Sequence, residues 1–172
     1  MLYERQVYRI FCDDDGRAIG VQARGLNGLE RHYGRAVIAA SDGFQANPEM
    51  RTAYLGGPWG SVKTRGSRYN TGEVIRELLA IGARSFGDWA GRHATPIDAD
   101  APAYGDLQLT DKTNRLSYPY GTMVNLDGER FVDEGADFNS YTYAAYGAAI
   151  LNQRRGISDL RQPGLSLARK AP

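Results

Sequence analysis

Residues 35–50 read Arg-Ala-Val-Ile-Ala-Ala-Ser-Asp-Gly-Phe-Gln-Ala-Asn-Pro-Glu-Met. The run over 36–40 is uniformly apolar and carries β-branched side chains, the pattern of a strand buried on both faces. Ser41, Asp42 and Gly43 end it with small side chains and a residue free to take positive φ, so the backbone can turn sharply and approach a ligand. The carboxyl ends of strands are where open α/β sheets hold nucleotides. Asn47, Pro48 and Glu49 then read as a helix start: N-cap, first helical position and an acid in the first turn.

On the amino-terminal side, residues 3–11 are rich in aromatic and β-branched side chains and predict a strand. Asp13 to Gly16 is a turn, 18–24 a returning strand, and Asn27-Gly28 a second turn leading through 29–33. Two hairpins before a buried strand make a β-meander. On the other side, the helix over 48–55 stops at Gly56, Gly57 and Pro58. An irregular loop follows over 59–70. Thr71, with Glu73 nearby, caps a helix over 74–83 whose apolar residues fall at 74, 75, 78, 79 and 81, and Gly82 ends it.

The 172 residues suffice for one domain or two small ones, and 42% hydrophobic content supports a core. Lys plus Arg number 21 against 20 acids, a net charge of +1. That balance gives no reason to expect nucleic acid or an anionic membrane as partner. With no apolar run near the roughly 20 residues of a membrane span, and no signal-peptide pattern at the start, the expectation is a soluble cytoplasmic protein. The one cysteine, Cys12, permits no internal disulfide. It reads as a strand residue, and His32 as a surface residue. Abundant Gly and Tyr suit a loop-rich α+β domain.

The stretch Ala-Ala-Ser-Asp-Gly-Phe-Gln-Ala-Asn-Pro-Glu-Met resembles the Ala-(Thr/Ser)-Gly-Gly-Phe segment of the fumarate reductase and succinate dehydrogenase flavoproteins, most closely the tricarballylate dehydrogenase branch. In that family the segment is the last strand of the FAD-binding domain and leads into a capping domain over the substrate. The resemblance implies FAD as cofactor, with Ala40, Ser41, Asp42, Gly43 and Phe44 at it. Asp42 departs from the family's glycine, and an anionic side chain disfavours contact with the cofactor's phosphates. Thr71, Gly72 and Glu73 resemble the family's Thr-Gly-Asp at a helix start close to the flavin. The Gly-x-Gly-x-x-Gly turn of a dinucleotide-binding domain is absent, so Met1 reads as the start of a fragment.

His93 and Thr95, one residue apart on an extended segment, are expected on one face, an imidazole beside a hydroxyl suited to a carboxylate. They resemble the family's His-x-(Thr/Val) segment, whose histidine binds a dicarboxylate; the alternative is a structural histidine in a loop. The aspartates over 98–116 lack the spacing of a calcium loop and read as a solvated stretch. The run Met-Val-Asn-Leu-Asp-Gly-Glu-Arg-Phe-Val-Asp-Glu (123–134) is the most specific match, similar to Val-Asn-x-x-Gly-x-Arg-Phe-Val-(Asn/Asp)-Glu. It reads as a strand, a hairpin turn over 126–130 and a return strand at 131–132. Arg130 and Glu134 are candidate walls of a substrate site or, equally, a structural ion pair. The acid-supplying arginine of fumarate reductases has no counterpart in 135–139, which favours a dehydrogenase. Tyr141, Tyr143 and Tyr146 lie on a helix over 140–151, as packing residues or as pocket hydroxyls and proton acceptors.

The expected fold is α+β, a partial FAD-binding domain sheet (β-meander and terminal strand) over 1–46, then part of an α+β capping domain over 47–153. Residues 154–172 form an irregular basic tail, read as the product of an altered reading frame or a gene remnant. The implied function is that of a fragment of an FAD-dependent dehydrogenase oxidising a di- or tricarboxylate by hydride transfer to flavin. The alternatives are an inactive remnant or a module needing a partner chain that supplies the missing nucleotide-binding half. A related flavoprotein acting on a cobalamin precursor or a 3-ketosteroid is a third.

Overall fold

The computed structural model describes residues 1–153 and the backbone of 159–161. By contacts the chain divides into two compact units: Met1–Gly60 with Gly66–Trp89, and Ser61–Arg65 with the described residues from Ala90 onward. The two helices that follow residue 46 lie in the first unit.

In the first unit β1 (Gln6–Cys12), β2 (Ala18–Gly25) and β3 (Gly28–Tyr33) form the expected antiparallel meander in sequence order. Asp13 builds the first turn, its Oδ1 accepting from the Asp15 and Arg17 amides. Cys12 closes β1, and His32 on β3 meets Glu30 at 3.1 Å. One sheet face carries the buried Ile10 and Ala23. Helix α2 (Glu73–Ala80) lies against β1, its Glu77 accepting from the Ile10 amide.

Helix α1 spans Pro48–Leu55 as expected. Asn47 is its N-cap, accepting from the Met50 amide at 3.1 Å, with Pro48 in the first turn. Helix α2 ends as its sequence implies. The Gly82 amide donates to Leu79 and the Ala83 amide to Leu78, with Gly82 at φ +92°, the two-bond glycine closure that satisfies the last carbonyls.

Four local expectations are corrected. Residues 36–40 are not a strand: they are largely exposed, Ile38 at 89%, and no described strand pairs with them. A strand apolar on both faces is stable only between neighbours, and the meander's last ladder bond is Gly34 to Ile19. The positive φ of the following turn falls on Asp42 (+61°), not Gly43; Asp tolerates this conformation through local polar bonds. Gly72 in the left-handed region, not Thr71, is the N-cap of α2, and it offers no side-chain cap. Part of 59–70 is a 3-10 turn, Gly57–Ser61.

In the second unit β4 (Thr122–Val124) runs into the expected turn, with Asn125 Oδ1 accepting from Asp127 and Glu129 amides and Gly128 at φ +82°. The return strand at 131–132 does not form beyond a single Val124–Arg130 bridge. Phe131 and Val132 instead pack on a core of Tyr118, Met123 and Tyr146. The ladder partner of β4 is β5 (Asp159–Arg161), three residues within the stretch read as an irregular tail; the rest of 154–172 lies outside the described residues. Helix α3 spans Asn139–Leu151. The 98–116 stretch is tied down: Arg115 pairs Asp98, Arg65 pairs Asp111, and 96–98 bonds to 113–115. Among the described residues no helix is long and apolar enough to cross a membrane.

Candidate functional site

In the first unit the two stretches that resemble flavin contacts, 40–44 and 71–73, come together through Asn70. Its Nδ2 donates to Asp42 Oδ2 at 2.7 Å, and its carbonyl accepts from the Ala46 amide at 2.9 Å. Asn47 adds a second link, Nδ2 donating to the Thr71 carbonyl at 2.9 Å. Gln45 also donates to Asp42, at 2.8 Å. The Asp42 carboxylate is therefore turned onto two amides of its own chain. Ala40 and Ser41 are exposed, Gly43 and Phe44 half-buried.

At Gly72 the two stretches approach closely. A Cβ there would lie 2.5 Å from Met50 Sδ and 2.9 Å from Phe44 Cβ, so only glycine fits, at φ +78°. Phe44 lies in an aromatic trio, 5.2 Å from Tyr54 and 6.3 Å from Trp89, whose planes differ from its own by 44° and 24°. Thr71 donates its hydroxyl to the Glu73 carboxylate.

These residues fit one end of a flavin better than the other. The first amides of α2 have no side-chain cap and are free donors for an acceptor oxygen. Glu73, in that first turn, sets negative charge beside them, which repels a pyrophosphate. Neutral carbonyl oxygens of a flavin ring suit such donors.

In the second unit α3 organises the other candidates. Tyr143 and Tyr146 are three apart on one helix face. The Tyr143 hydroxyl is hydrogen-bonded to His93 Nε2, and the rings meet edge to face at 5.0 Å and 82°. Gly147 permits the approach: a Cβ there would stand 2.9 Å from Ala94 Cβ and from the Thr95 amide nitrogen. The Tyr146 hydroxyl donates to the Asp133 carbonyl, and its ring packs edge-on against Tyr118 at 5.0 Å. Burial, with the negative charge of Asp133, raises the Tyr146 pKa. Tyr141 is exposed.

Arg130 and Glu134 form the ion pair the sequence allowed. Arg130 donates from Nε at 2.9 Å and from Nη2 at 2.6 Å to one Glu134 oxygen, while Nη2 also reaches Asp133 at 3.2 Å. The other Glu134 oxygen accepts the Met123 amide. Glu134 is 2% exposed. Burial alone would raise its pKa, but the bonds from Met123 and Arg130 outweigh it and the net shift is down. The same pairing with Glu134 raises the Arg130 pKa.

One compact unit thus holds His93, Thr95, Arg130 and Glu134, with α3 touching both segments. His93 and Thr95 lie on irregular backbone, not on a strand, and Thr95 is half-buried. Asn70, Tyr143 as a partner of His93, and Gly147 were not singled out in these roles from the sequence. A glycine inside an otherwise apolar helix was the available signal for Gly147; Asn70 carried none.

No protein-family model matches the chain. Over 143 residues it is 29% identical to 3-oxosteroid 1-dehydrogenase of Mycolicibacterium smegmatis, covering 78% of this chain and 24% of that enzyme. Among solved structures, 3-ketosteroid delta1-dehydrogenase from Sterolibacterium denitrificans in complex with 1,4-androstadiene-3,17-dione superposes with a TM-score of 0.64 at 23% identity, over 86% of this chain and 25% of that one. The open conformation of a flavocytochrome c3 fumarate reductase gives 0.62 at 24% identity, over 87% and 24%. The 3-ketosteroid-delta4-(5alpha)-dehydrogenase from Rhodococcus jostii RHA1 in complex with 4-androstene-3,17-dione gives 0.60 at 19% identity, over 86% and 26%. The chain spans about a quarter of the length of each. These neighbours are FAD-dependent flavoenzymes, and it is their α+β fold, in part, that the chain shares.

Proposed function

We propose that this chain is the substrate-side portion of an FAD-dependent oxidoreductase. The observation that carries the reading is the stitching of 40–44 to 71–73 by Asn70 and Asn47, on a fold shared with flavin dehydrogenases. When bound, the flavin supplies the hydride acceptor. The chain's own residues supply position: within the first unit, the main chain of Ser41 to Phe44 and the first amides of α2 are donors to the ring; within the second, His93, Thr95 and Arg130 are the substrate candidates. A partner segment carrying a nucleotide-binding sheet would pair with 36–40. In this reading 1–46 belongs with that sheet, 47–153 with a cap, and the protein works in the cytoplasm.

For the substrate we favour a ketone on an apolar body, of the 3-ketosteroid kind that the M. smegmatis, S. denitrificans and R. jostii relatives are named for. Arg130 faces two carboxylates, Glu134 and Asp133, so the corner holds no surplus of positive charge for a polyanion. A ketone needs one donor to its oxygen, which the His93–Tyr143 pair can offer. The second reading is a di- or tricarboxylate held by His93, Thr95 and Arg130. The half-exposed guanidinium of Arg130 and the fumarate reductase neighbour favour it.

The test is the visible absorbance of the purified chain after incubation with excess FAD and gel filtration. Flavin bands eluting with the protein are expected; a colourless protein overturns flavin binding by these loops. Anaerobic bleaching of the retained flavin by 4-androstene-3,17-dione, set beside tricarballylate and succinate, then separates the two substrate readings.

A further inference from the structure

The meander has a second face that the flavin reading leaves unused. Strand register places Arg9 opposite Gln22 and Gln22 opposite Arg31, while Gln6 pairs with Arg24 and Arg24 with Leu29. Side chains alternate across a strand, so Arg9, Arg24 and Arg31 share the face opposite the buried Ile10 and Ala23. All three are exposed. No acid of β1, β2 or β3 lies on that face, because Glu30 sits on the other one, with Arg5 and His32.

The contrast with other arginines is sharp in chemistry. Arg65, Arg115 and Arg130 each meet a carboxylate. Arg9 and Arg24 make no ion pair or side-chain hydrogen bond among the described residues, and Arg31 is placed by an aromatic ring, its guanidinium carbon 6.0 Å from the Phe11 centroid. Phe11 is itself held edge to face against Tyr33 at 5.1 Å and packs over Gly20. Adjacent strands lie about 4.8 Å apart, so Arg9 and Arg31 straddle Gln22 at roughly 10 Å. A net charge of only +1 over the chain makes this a local excess and not a share of a general one.

We propose that this face of the meander is an interaction surface for an acidic protein segment, its carboxylates meeting Arg9, Arg24 and Arg31. Guanidinium groups take carboxylates in two-pronged pairs, and such patches steer encounter more than they add raw affinity. A single-stranded nucleic acid fits less well. Successive bases need a row of free aromatic planes to stack on; here Arg31 covers one plane of Phe11 and Gly20 lies against its ring, which leaves the single exposed ring of Tyr33, met edge-on by Phe11. None of Arg9, Arg24 and Arg31 is among the residues placed at the flavin ring or the substrate.

Fluorescence anisotropy of labelled poly-L-glutamate, and of labelled oligo-dT, with the whole chain tests it. Polyglutamate is expected to bind at low salt and to weaken as salt shortens the screening length from about 30 Å at 0.01 M to about 8 Å at 0.15 M. Arg9→Glu with Arg31→Glu should weaken it at least about tenfold, whereas Arg17→Glu, in the turn, leaves it unchanged. Far-ultraviolet circular dichroism of each variant reports the sheet; if the double variant unfolds, Arg24→Glu alone gives the same readout. The proposal is overturned by polyglutamate that fails to bind at low salt, by affinity that ignores the folded variants, or by tighter binding of oligo-dT.

Discussion

Among the described residues each compact unit buries one charged side chain, and the two hold it in opposite ways. In the first, Arg51 is 5% exposed and donates to main-chain carbonyls: Trp59 at 2.8 Å, Gly60 at 2.8 Å, and Gln45. In the second, Glu134 accepts one main-chain amide and two bonds from Arg130. A cation held by carbonyl dipoles fixes loop backbone, here the turn after Phe44 and the turn after α1. An anion held by a half-exposed cation leaves that cation facing solvent at one end. The difference explains why the 45–47 and 56–60 loops are set by a buried donor, while the Arg130 guanidinium stays accessible.

The largest expected effect comes from removing the cation. Arg51→Met keeps most of the apolar stem but orphans three carbonyls. At about 1–3 kcal/mol for each buried unpaired group, lessened by water entry, the loss should be about 4 kcal/mol. Urea unfolding followed by Trp fluorescence reads it; a loss below 1 kcal/mol would mean that the loop carbonyls are not held by Arg51.

Glu134→Gln should cost less, about 2 kcal/mol, because the amide oxygen still accepts from Met123 and Arg130 can turn to water. This position also predicts a pH dependence. The folded Glu134 pKa is lowered, so the native state prefers the ionised form. Its stabilisation is complete above the unfolded carboxyl pKa of about 4.3 and is lost as pH falls through the lower folded value. Glu30, lowered chiefly by its bond from Arg5, acts in the same direction. Stability from pH 5 down to pH 2 should fall less steeply in Glu134→Gln than in the parent; parallel curves would assign the acid sensitivity elsewhere.

Much of the fold was legible because local chemistry decided it. Asp13 and Gly16, the Asn47-Pro48 start of α1, and Gly82 each act through bonds within a few residues, and each forms where the sequence placed it. The 36–40 run failed for the opposite reason. Its apolar pattern states what surroundings it suits, and no described strand provides them. The candidate site was legible at Arg130 and Glu134, four residues apart, where spacing alone permits an ion pair. The His93–Tyr143 bond spans 50 residues and the Asp42–Asn70 bond 28; no local pattern encodes either.

Asn47→Ala tests the joint between the start of α1 and the 71–73 stretch. Loss of an N-cap costs about 1 kcal/mol, and the second bond, to the Thr71 carbonyl, adds about 0.5–1 kcal/mol. Asn47→Asp separates the two, since the carboxylate still caps α1 but cannot donate to Thr71. Should both variants lose the same stability, the link to Thr71 contributes and the cap does not; an unchanged Asn47→Asp would assign the whole effect to the cap.

The smallest effect is the one whose sign is most informative. Replacing a helix glycine by alanine normally stabilises by up to about 1 kcal/mol, and Gly147 lies in the middle of α3. Its added Cβ, however, would stand 2.9 Å from Ala94 Cβ and from the Thr95 nitrogen, closer than real Cβ contacts, and main chain yields poorly. Overpacking of this kind costs about 1–3 kcal/mol, so Gly147→Ala should be net destabilising by about 1 kcal/mol. The strain falls on the segment that carries His93, so the imidazole resonances of His93 should shift while those of His32 stay fixed. A stabilised Gly147→Ala with an unmoved His93 would mean that α3 does not set the position of the 93–95 segment. The 93–95 segment would then be held by its own loop.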